Sequence, residues 1–102
     1  MITQDFYNAL QIVSDVTEIS QEDILSKSRK MENVEARTLL ITALNSQGYH
    51  PIQIANKMDM AVNSVKALMD TFPQRGKSNG IFNKMYIEIM RKLSELEKET
   101  YN

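Results

Sequence analysis

Apolar residues along this chain recur at intervals of three and four, which is the spacing of amphipathic α-helices. The pattern predicts a first helix over about residues 3–16, with Thr3 as its cap. Its apolar stripe consists of Phe6, Leu10 and Val13. A short second helix is predicted after Ser20, which can accept a capping hydrogen bond. The polar, basic run at residues 26–30 has no apolar partner face, so it is predicted to be a loop.

A third helix is predicted over about residues 34–47, with Asn33 as its cap. Gly48 is expected to end this helix, because glycine readily adopts the left-handed conformation after a last helical turn. The buried side of the helix is predicted to consist of Val34, Arg37, Leu40, Ile41 and Leu44.

The most informative stretch is residues 51–72, which predicts two helices joined by a tight turn. Pro51 suits the first position of a helix, because it has no N–H to leave unpaired there. The small Ala55 is expected where the helices cross, and Asp59 can adopt the left-handed backbone of a turn. Val65 follows at the spacing of a packing residue on the second helix. This arrangement is typical of a DNA-reading helix-turn-helix; two ordinary packed helices are the alternative.

Residues 73–80 contain a proline, two glycines and several polar side chains, a composition that predicts a mobile connector. A last helix is predicted over about residues 81–99. Its apolar seam consists of Phe82, Met85, Ile89, Leu93 and Leu96. Two interpretations stay open: the helix packs on its own domain, or it is an arm that links two copies in a homodimer. The predicted fold is all-α, with about five helices in a domain at residues 1–72, the connector, and a C-terminal helix at residues 81–102.

The 102 residues suffice for one domain, and the proportions of 42% hydrophobic and 25% charged residues are those of an ordinary globular protein. The absence of cysteine excludes a disulfide scaffold and thiolate metal sites, and it fits a reducing compartment. No apolar run approaches the roughly 18 residues that span a bilayer. The N-terminus also lacks the basic start of a secretory signal. These features predict a cytoplasmic protein without a membrane partner.

The formal net charge of −1 argues against a generic nucleic-acid binder, but the charges are unevenly distributed. Residues 1–26 carry five acidic and no basic side chains, whereas residues 27–77 carry eight basic and four acidic ones. The positive charge is therefore concentrated around the predicted helix-turn-helix. This asymmetry favours one face that meets phosphates; chance clustering is the alternative.

Three stretches of the chain occur in the order in which a known DNA-binding domain has its elements. They are DILSK at Asp23–Lys27 with the basic residues after it, then NVEARTLLITALNSQG, then PIQIANKMDMAVNSVKAL. From about Asn8 to Phe72 the chain resembles the C-terminal domain (domain IV) of the replication initiator DnaA, of the Trp-repressor-like superfamily. The helix-turn-helix alone is also similar to those of LuxR-type regulators and of sigma-factor region four. Met60–Ser64 replaces the family's Arg-Asp-His-Thr-Thr cluster, so the resemblance implies the fold rather than the DNA target.

The resemblance implies that the second helix of the motif enters the major groove and that the basic loop meets the adjacent backbone or minor groove. It assigns the loop role to residues 27–30 together with Arg37 on the following helix. From the residue types themselves, Asn63 can pair with adenine, and polar side chains of the first helix can reach the DNA backbone. The candidates in and after the loop are Lys27, Ser28, Arg29, Lys30 and Arg37. The candidates on the helix-turn-helix are Gln53, Lys57, Asn63, Ser64 and Lys66.

Chemistry beyond binding has little support in the sequence. His50 is the only histidine, so neither a three-histidine metal site nor a histidine-based triad with cysteine can form. We therefore expect neither an enzyme nor a cofactor. The predicted function is binding of double-stranded DNA, in transcription regulation or as an accessory factor of a phage or mobile element. The alternative is a protein–protein interaction module that keeps this fold and has lost base-specific DNA reading.

Overall fold

The computed structural model of the protein describes the backbone of residues 2–101 and the side chains of residues 2–98. Within those residues the chain forms six α-helices and no β-strand, which confirms the all-α prediction. The helices are α1 (Ile2–Thr17), α2 (Gln21–Leu25), α3 (Met31–Ser46), α4 (Pro51–Met58), α5 (Val62–Ser78) and α6 (Gly80–Tyr101). Residues 1 and 102, the outer ends of the predicted ranges, lie outside the described residues.

Helix α3 is the centre of the fold, because it packs against each of the other five helices. Its middle is buried on almost every side, and Leu39, Leu40, Ile41 and Leu44 are fully buried. A helix that is apolar all round is typical of such a central position. Each large apolar side chain buried here stabilises the fold by about 1.5–3 kcal/mol. Helix α3 is therefore the framework on which the other elements are held.

Two predicted local signals have the expected geometry. The Asp23 N–H donates to the Ser20 Oγ at 3.1 Å and so caps α2. Gly48 has a φ of 101°, the left-handed conformation that ends α3 and turns the chain toward α4. The start of α2 and the end of α3 could therefore be predicted from single residues.

Two predicted helix caps are wrong. Thr3 lies inside α1, and Asn33 is a buried residue inside α3. Helix α3 begins earlier than predicted because the end of the basic loop is ordered by its own hydrogen bonds. The Lys30 N–H donates to the Ser28 Oγ at 3.2 Å, and the Lys30 carbonyl accepts the Val34 N–H at 3.0 Å as the first bond of the helix.

The predicted connector at residues 73–80 is also wrong as a loop. Helix α5 continues through Pro73 to Ser78, and Asn79 alone separates it from α6. A proline inside a helix removes one backbone hydrogen bond and costs about 3 kcal/mol. Contacts between elements must therefore offset a local preference against helix at this point.

Aromatic packing between α5 and α6 supplies such contacts. The ring of Phe72, which precedes Pro73, lies against the rings of Phe82 and Tyr86, with centroid distances of 5.6 and 4.7 Å. Each such pair contributes about 0.5–1.5 kcal/mol beyond the apolar area that it buries. Together with that buried area, the two pairs are large enough to outweigh the proline.

Helix α6 belongs to the same core as the other helices. Within its predicted apolar seam, Phe82, Ile89 and Leu93 are buried, and the helix packs against α1, α3 and α5. Of the two interpretations of this helix, the structure has the one in which it packs on its own domain. Three of the five seam residues are therefore covered within the chain, whereas Met85 and Leu96 are half-buried.

Candidate nucleic-acid interface

Helices α4 and α5 occupy the stretch predicted as a helix-turn-helix, a name kept for it below, and are joined by a turn of three residues, Asp59–Ala61. Asp59 has a φ of 53° and adopts the left-handed conformation that the sequence predicted. The Met60 N–H donates to the Ala55 carbonyl at 3.0 Å and closes the end of α4. The two predicted packing residues, Ala55 and Val65, are 4% and 0% exposed. Packing and turn therefore agree with the sequence pattern, whereas α5 extends beyond residue 72 to Ser78.

The first turn of α5 leaves backbone donors free. Ala61 precedes the helix without a side-chain cap, and its carbonyl accepts the N–H groups of Ser64 and Val65 at 3.0 and 3.2 Å. Within the described residues, the N–H groups of Val62 and Asn63 have no acceptor. This end of α5 therefore carries the positive partial charge of a helix N-terminus, which attracts anions.

The predicted DNA contacts on α5 all project into solvent. Asn63, Ser64 and Lys66 are exposed, and none of the three side chains forms a hydrogen bond or ion pair with any residue that the structure describes. They occupy the first two turns of the helix, next to the free backbone donors. The polar groups of this surface are therefore available to a ligand.

The basic loop (residues 26–30) connects α2 to α3, as predicted. Lys27, Arg29 and Lys30 are exposed, whereas Ser28 is half-buried. The loop has a defined shape, because the Ser26 Oγ donates to the Asp23 carbonyl at 2.7 Å and accepts the Ser28 N–H at 3.2 Å. The cations of this surface, called the interface cations below, are Lys27, Arg29, Lys30 and Lys66.

A groove of about 310 Å³ separates the basic loop from the helix-turn-helix and is lined by both. The Lys27 Nζ donates to the Asp59 carbonyl at 3.1 Å and joins the loop to the turn at one point. Arg29 on the loop and Ser64 on α5 both line the groove. The structure thus brings the two predicted halves of the interface side by side, although they are far apart in the sequence.

Arg37, predicted as a DNA contact, has a different position. Its side chain is 7% exposed and points under the basic loop. Its guanidinium donates to the carbonyls of Ile24, Ser26 and Ser28 at 2.9, 2.6 and 3.3 Å, and more weakly to that of Asp23 at 3.5 Å. Burial lowers the pKa of the Arg37 guanidinium. The assignment of Arg37 as a phosphate contact is therefore wrong, because its donors are already used inside the protein.

The two candidates on α4 lie apart from the groove. Gln53 is exposed, but its Oε1 accepts the His50 N–H at 2.9 Å, so this oxygen helps to start the helix. Lys57 is half-buried in the last turn of α4. Neither residue lines the groove, and any contact that they make with DNA must lie beside it.

Carboxylates reduce the positive potential of this surface. Glu32 at the start of α3, Asp59 in the turn and Asp70 on α5 are all exposed. None of them pairs with an interface cation, since the ion pairs between described residues lie at the contact of α3 with α5 and along α6. With four interface cations against these three carboxylates, the surface is only weakly positive.

Sequence reasoning missed the apolar floor of the groove and the hydrogen bonds of Ser26. Leu25, Met58, Met60 and Leu68 contribute apolar surface between the cations. Their contribution depends on how α2 and the helix-turn-helix meet, which helical periodicity does not reveal. Ser26 did carry a local signal, because a serine directly after a short helix often bonds to nearby backbone groups.

Comparisons with family models, curated proteins and solved structures gave no match for this chain. The resemblance to the DnaA domain therefore stays a prediction. None of the helices described has both the length and the apolar character needed to span a bilayer. In the same part of the chain, no three acidic, cysteine or histidine side chains converge on a metal site.

Proposed function

We propose that this protein binds double-stranded DNA, with the N-terminal half of α5 in the major groove and the basic loop on the adjacent backbone. The observation that carries the proposal is the groove at which the loop and the helix-turn-helix meet. It joins exposed cations of the loop to the exposed polar end of α5 in one surface. A ligand with regularly spaced phosphates and a readable edge between them fits such a surface.

Base reading is expected to centre on Asn63. In helix-turn-helix proteins the first turns of the second helix face the base edges, and Asn63 lies there with a free carboxamide. A carboxamide can donate to and accept from an adenine edge at the same time. Lys66, one turn later, can reach a guanine edge or a phosphate. The free N–H groups of Val62 and Asn63 suit a phosphate oxygen.

The cations set the expected strength and salt dependence of binding. The proposal counts five basic side chains as phosphate contacts, namely the four exposed interface cations and the half-buried Lys57 beside the groove. If all five do so, the logarithm of the binding constant falls with that of the salt concentration with a slope of about −4 to −5. Raising the salt from about 50 mM to about 200 mM should then weaken binding by two to three orders of magnitude.

Fluorescence anisotropy with a labelled random-sequence duplex tests the proposal. Lys66→Ala and Arg29→Ala should each weaken binding about tenfold at the lower salt and make the slope shallower by about 0.9. Lys98→Ala is the matched control, because Lys98 is an exposed lysine near the end of α6, away from the groove. Absence of binding at about 10 μM protein in low salt, or equal losses in the control, refutes the proposal.

A second candidate function, binding of a protein partner, is favoured by the apolar floor of the groove. Leu25 is 37% exposed there, beside Met58 and Met60. Methionine side chains adapt their shape to a partner's apolar group. Binding of this kind depends on apolar contact and changes little with salt, so the salt series separates the two functions.

A further inference from the structure

Arg37 is the most buried charged side chain next to the proposed DNA surface, and its charge has no carboxylate partner among the described residues. Its guanidinium instead donates to backbone carbonyls of residues 23–28. These carbonyls come from the end of α2 and the first half of the basic loop. The Arg37 side chain thus forms hydrogen bonds with the backbone of both α2 and the basic loop.

This arrangement fixes the shape of the loop from inside. Two carbonyl oxygens of the loop and two of α2 point inward to the guanidinium, within 2.6–3.5 Å. The exposed side chains of Lys27 and Arg29 therefore start from a backbone that is already held in place. A loop that is ordered before binding loses less conformational entropy on the ligand than a mobile one does.

Only arginine has the geometry for this task. Its planar guanidinium carries five N–H donors in a fixed fork, whereas lysine offers three donors on a single rotating nitrogen. A lysine at position 37 would keep the positive charge but could not reach all four carbonyls together. The substitution Arg37→Lys therefore separates the charge of the residue from its geometry.

We propose that Arg37 is a positioning residue for DNA binding: it presets the basic loop for the phosphate backbone without touching DNA. This inference rests on the proposed function. In this proposal a side chain of helix α3 keeps the basic loop ordered, so the central helix determines where the cations of the loop lie.

The test combines hydrogen exchange of the free protein with anisotropy titration of duplex DNA. In Arg37→Lys, the amides of residues 26–30 should exchange faster, and binding should weaken about tenfold or more although the charge is kept. Arg91→Lys is the matched control, because Arg91 is an exposed arginine on α6 that pairs with Glu88 and Glu95. It should leave both measurements unchanged.

A second variant covers the outcome in which Arg37→Lys fails to fold. Ser26→Ala removes the two hydrogen bonds of the Ser26 hydroxyl and leaves both the core and every charge in place. It should speed exchange of the Ser28 amide, which donates to that hydroxyl, and weaken DNA binding about three- to tenfold. Circular dichroism of each variant shows whether the helices are retained.

Loop exchange and DNA binding together decide whether Arg37 positions the loop for DNA. Faster loop exchange with unchanged binding overturns the proposal, since the order of the loop would then not matter. Weaker binding of Arg37→Lys with unchanged loop exchange also overturns it and indicates direct contact with DNA. Absence of binding by the unaltered chain refutes the proposed function itself, and the positioning role with it, before any variant is compared.

Discussion

Truncation of Phe82 to alanine should destabilise the whole protein, because α6 is part of the core rather than a separate arm. The Phe82 side chain is 0% exposed, and its ring lies 5.6 Å from that of Phe72. Removal of a buried phenylalanine costs about 3–5 kcal/mol through lost apolar burial and the cavity left behind. A domain of this size has a total stability of about 5–15 kcal/mol. Phe82→Ala should therefore remove a large fraction of it.

Urea unfolding followed by circular dichroism measures this effect. The free energy of unfolding should fall by about 3 kcal/mol, which lowers the urea midpoint, and Tm should fall by about 12 °C or more. Ile81→Ala is the matched control, because the neighbouring Ile81 is 71% exposed. Its effect should stay within about 0.5 kcal/mol. A loss below about 1 kcal/mol in Phe82→Ala would show that α6 contributes little to the fold, and the reasoning about a single core would be refuted.

Three further outcomes follow from single contacts. The Tyr49 hydroxyl donates to the Asp5 carboxylate, which with burial raises the pKa of Tyr49 from 10.0 to about 12. The hydrogen bond of Tyr49 should therefore stabilise the protein fully below pH 10, and this contribution should be lost as the pH rises toward 12. In urea unfolding, the difference in stability between the unaltered chain and Tyr49→Phe should shrink over that range. A constant difference would contradict this prediction. Asp59→Gly should raise Tm slightly, because glycine removes about 1 kcal/mol of left-handed strain, whereas unchanged or lower stability would show that Asp59 is unstrained. Asp70→Asn should tighten duplex binding severalfold at low salt in the anisotropy assay, and equal affinity would place Asp70 away from the phosphates.

Much of the fold could be predicted because many of its signals are local. Ser20, Gly48 and Asp59 act through their own backbone conformation or a hydrogen bond a few residues away, and each is where the sequence predicted. Pro73 is a local signal too, but packing of α5 on α6 outweighs it. The error at residues 73–80 thus came from a contact between helices that no local rule contains.

The predictions about the candidate site also divide into those based on local signals and those that depend on contacts in the folded chain. Exposure of Arg29, Asn63 and Lys66 followed from helical periodicity and from the polar character of the loop. Periodicity also placed Arg37 on the buried side of its helix, but the acceptors of its guanidinium could not be predicted, because they are carbonyls of a segment that meets α3 only in the folded chain. A carbonyl has no residue-specific signal, so the sequence does not show that backbone acceptors occupy the donors of this guanidinium.

The position of Arg37 changes the charge argument for DNA binding. Residues 27–77 carry eight basic side chains, but Arg37 is buried and Arg75 lies 3.9 Å from Glu35. Six basic side chains in this segment therefore remain for phosphates, and the slope of binding against salt should be no steeper than about −5.4. A steeper slope would require cations from outside this segment, such as those of a second copy on the same DNA. The salt slope of the unaltered chain thus tests whether this segment alone meets the phosphates, and a single weakly positive surface predicts a slope no steeper than about −5.4.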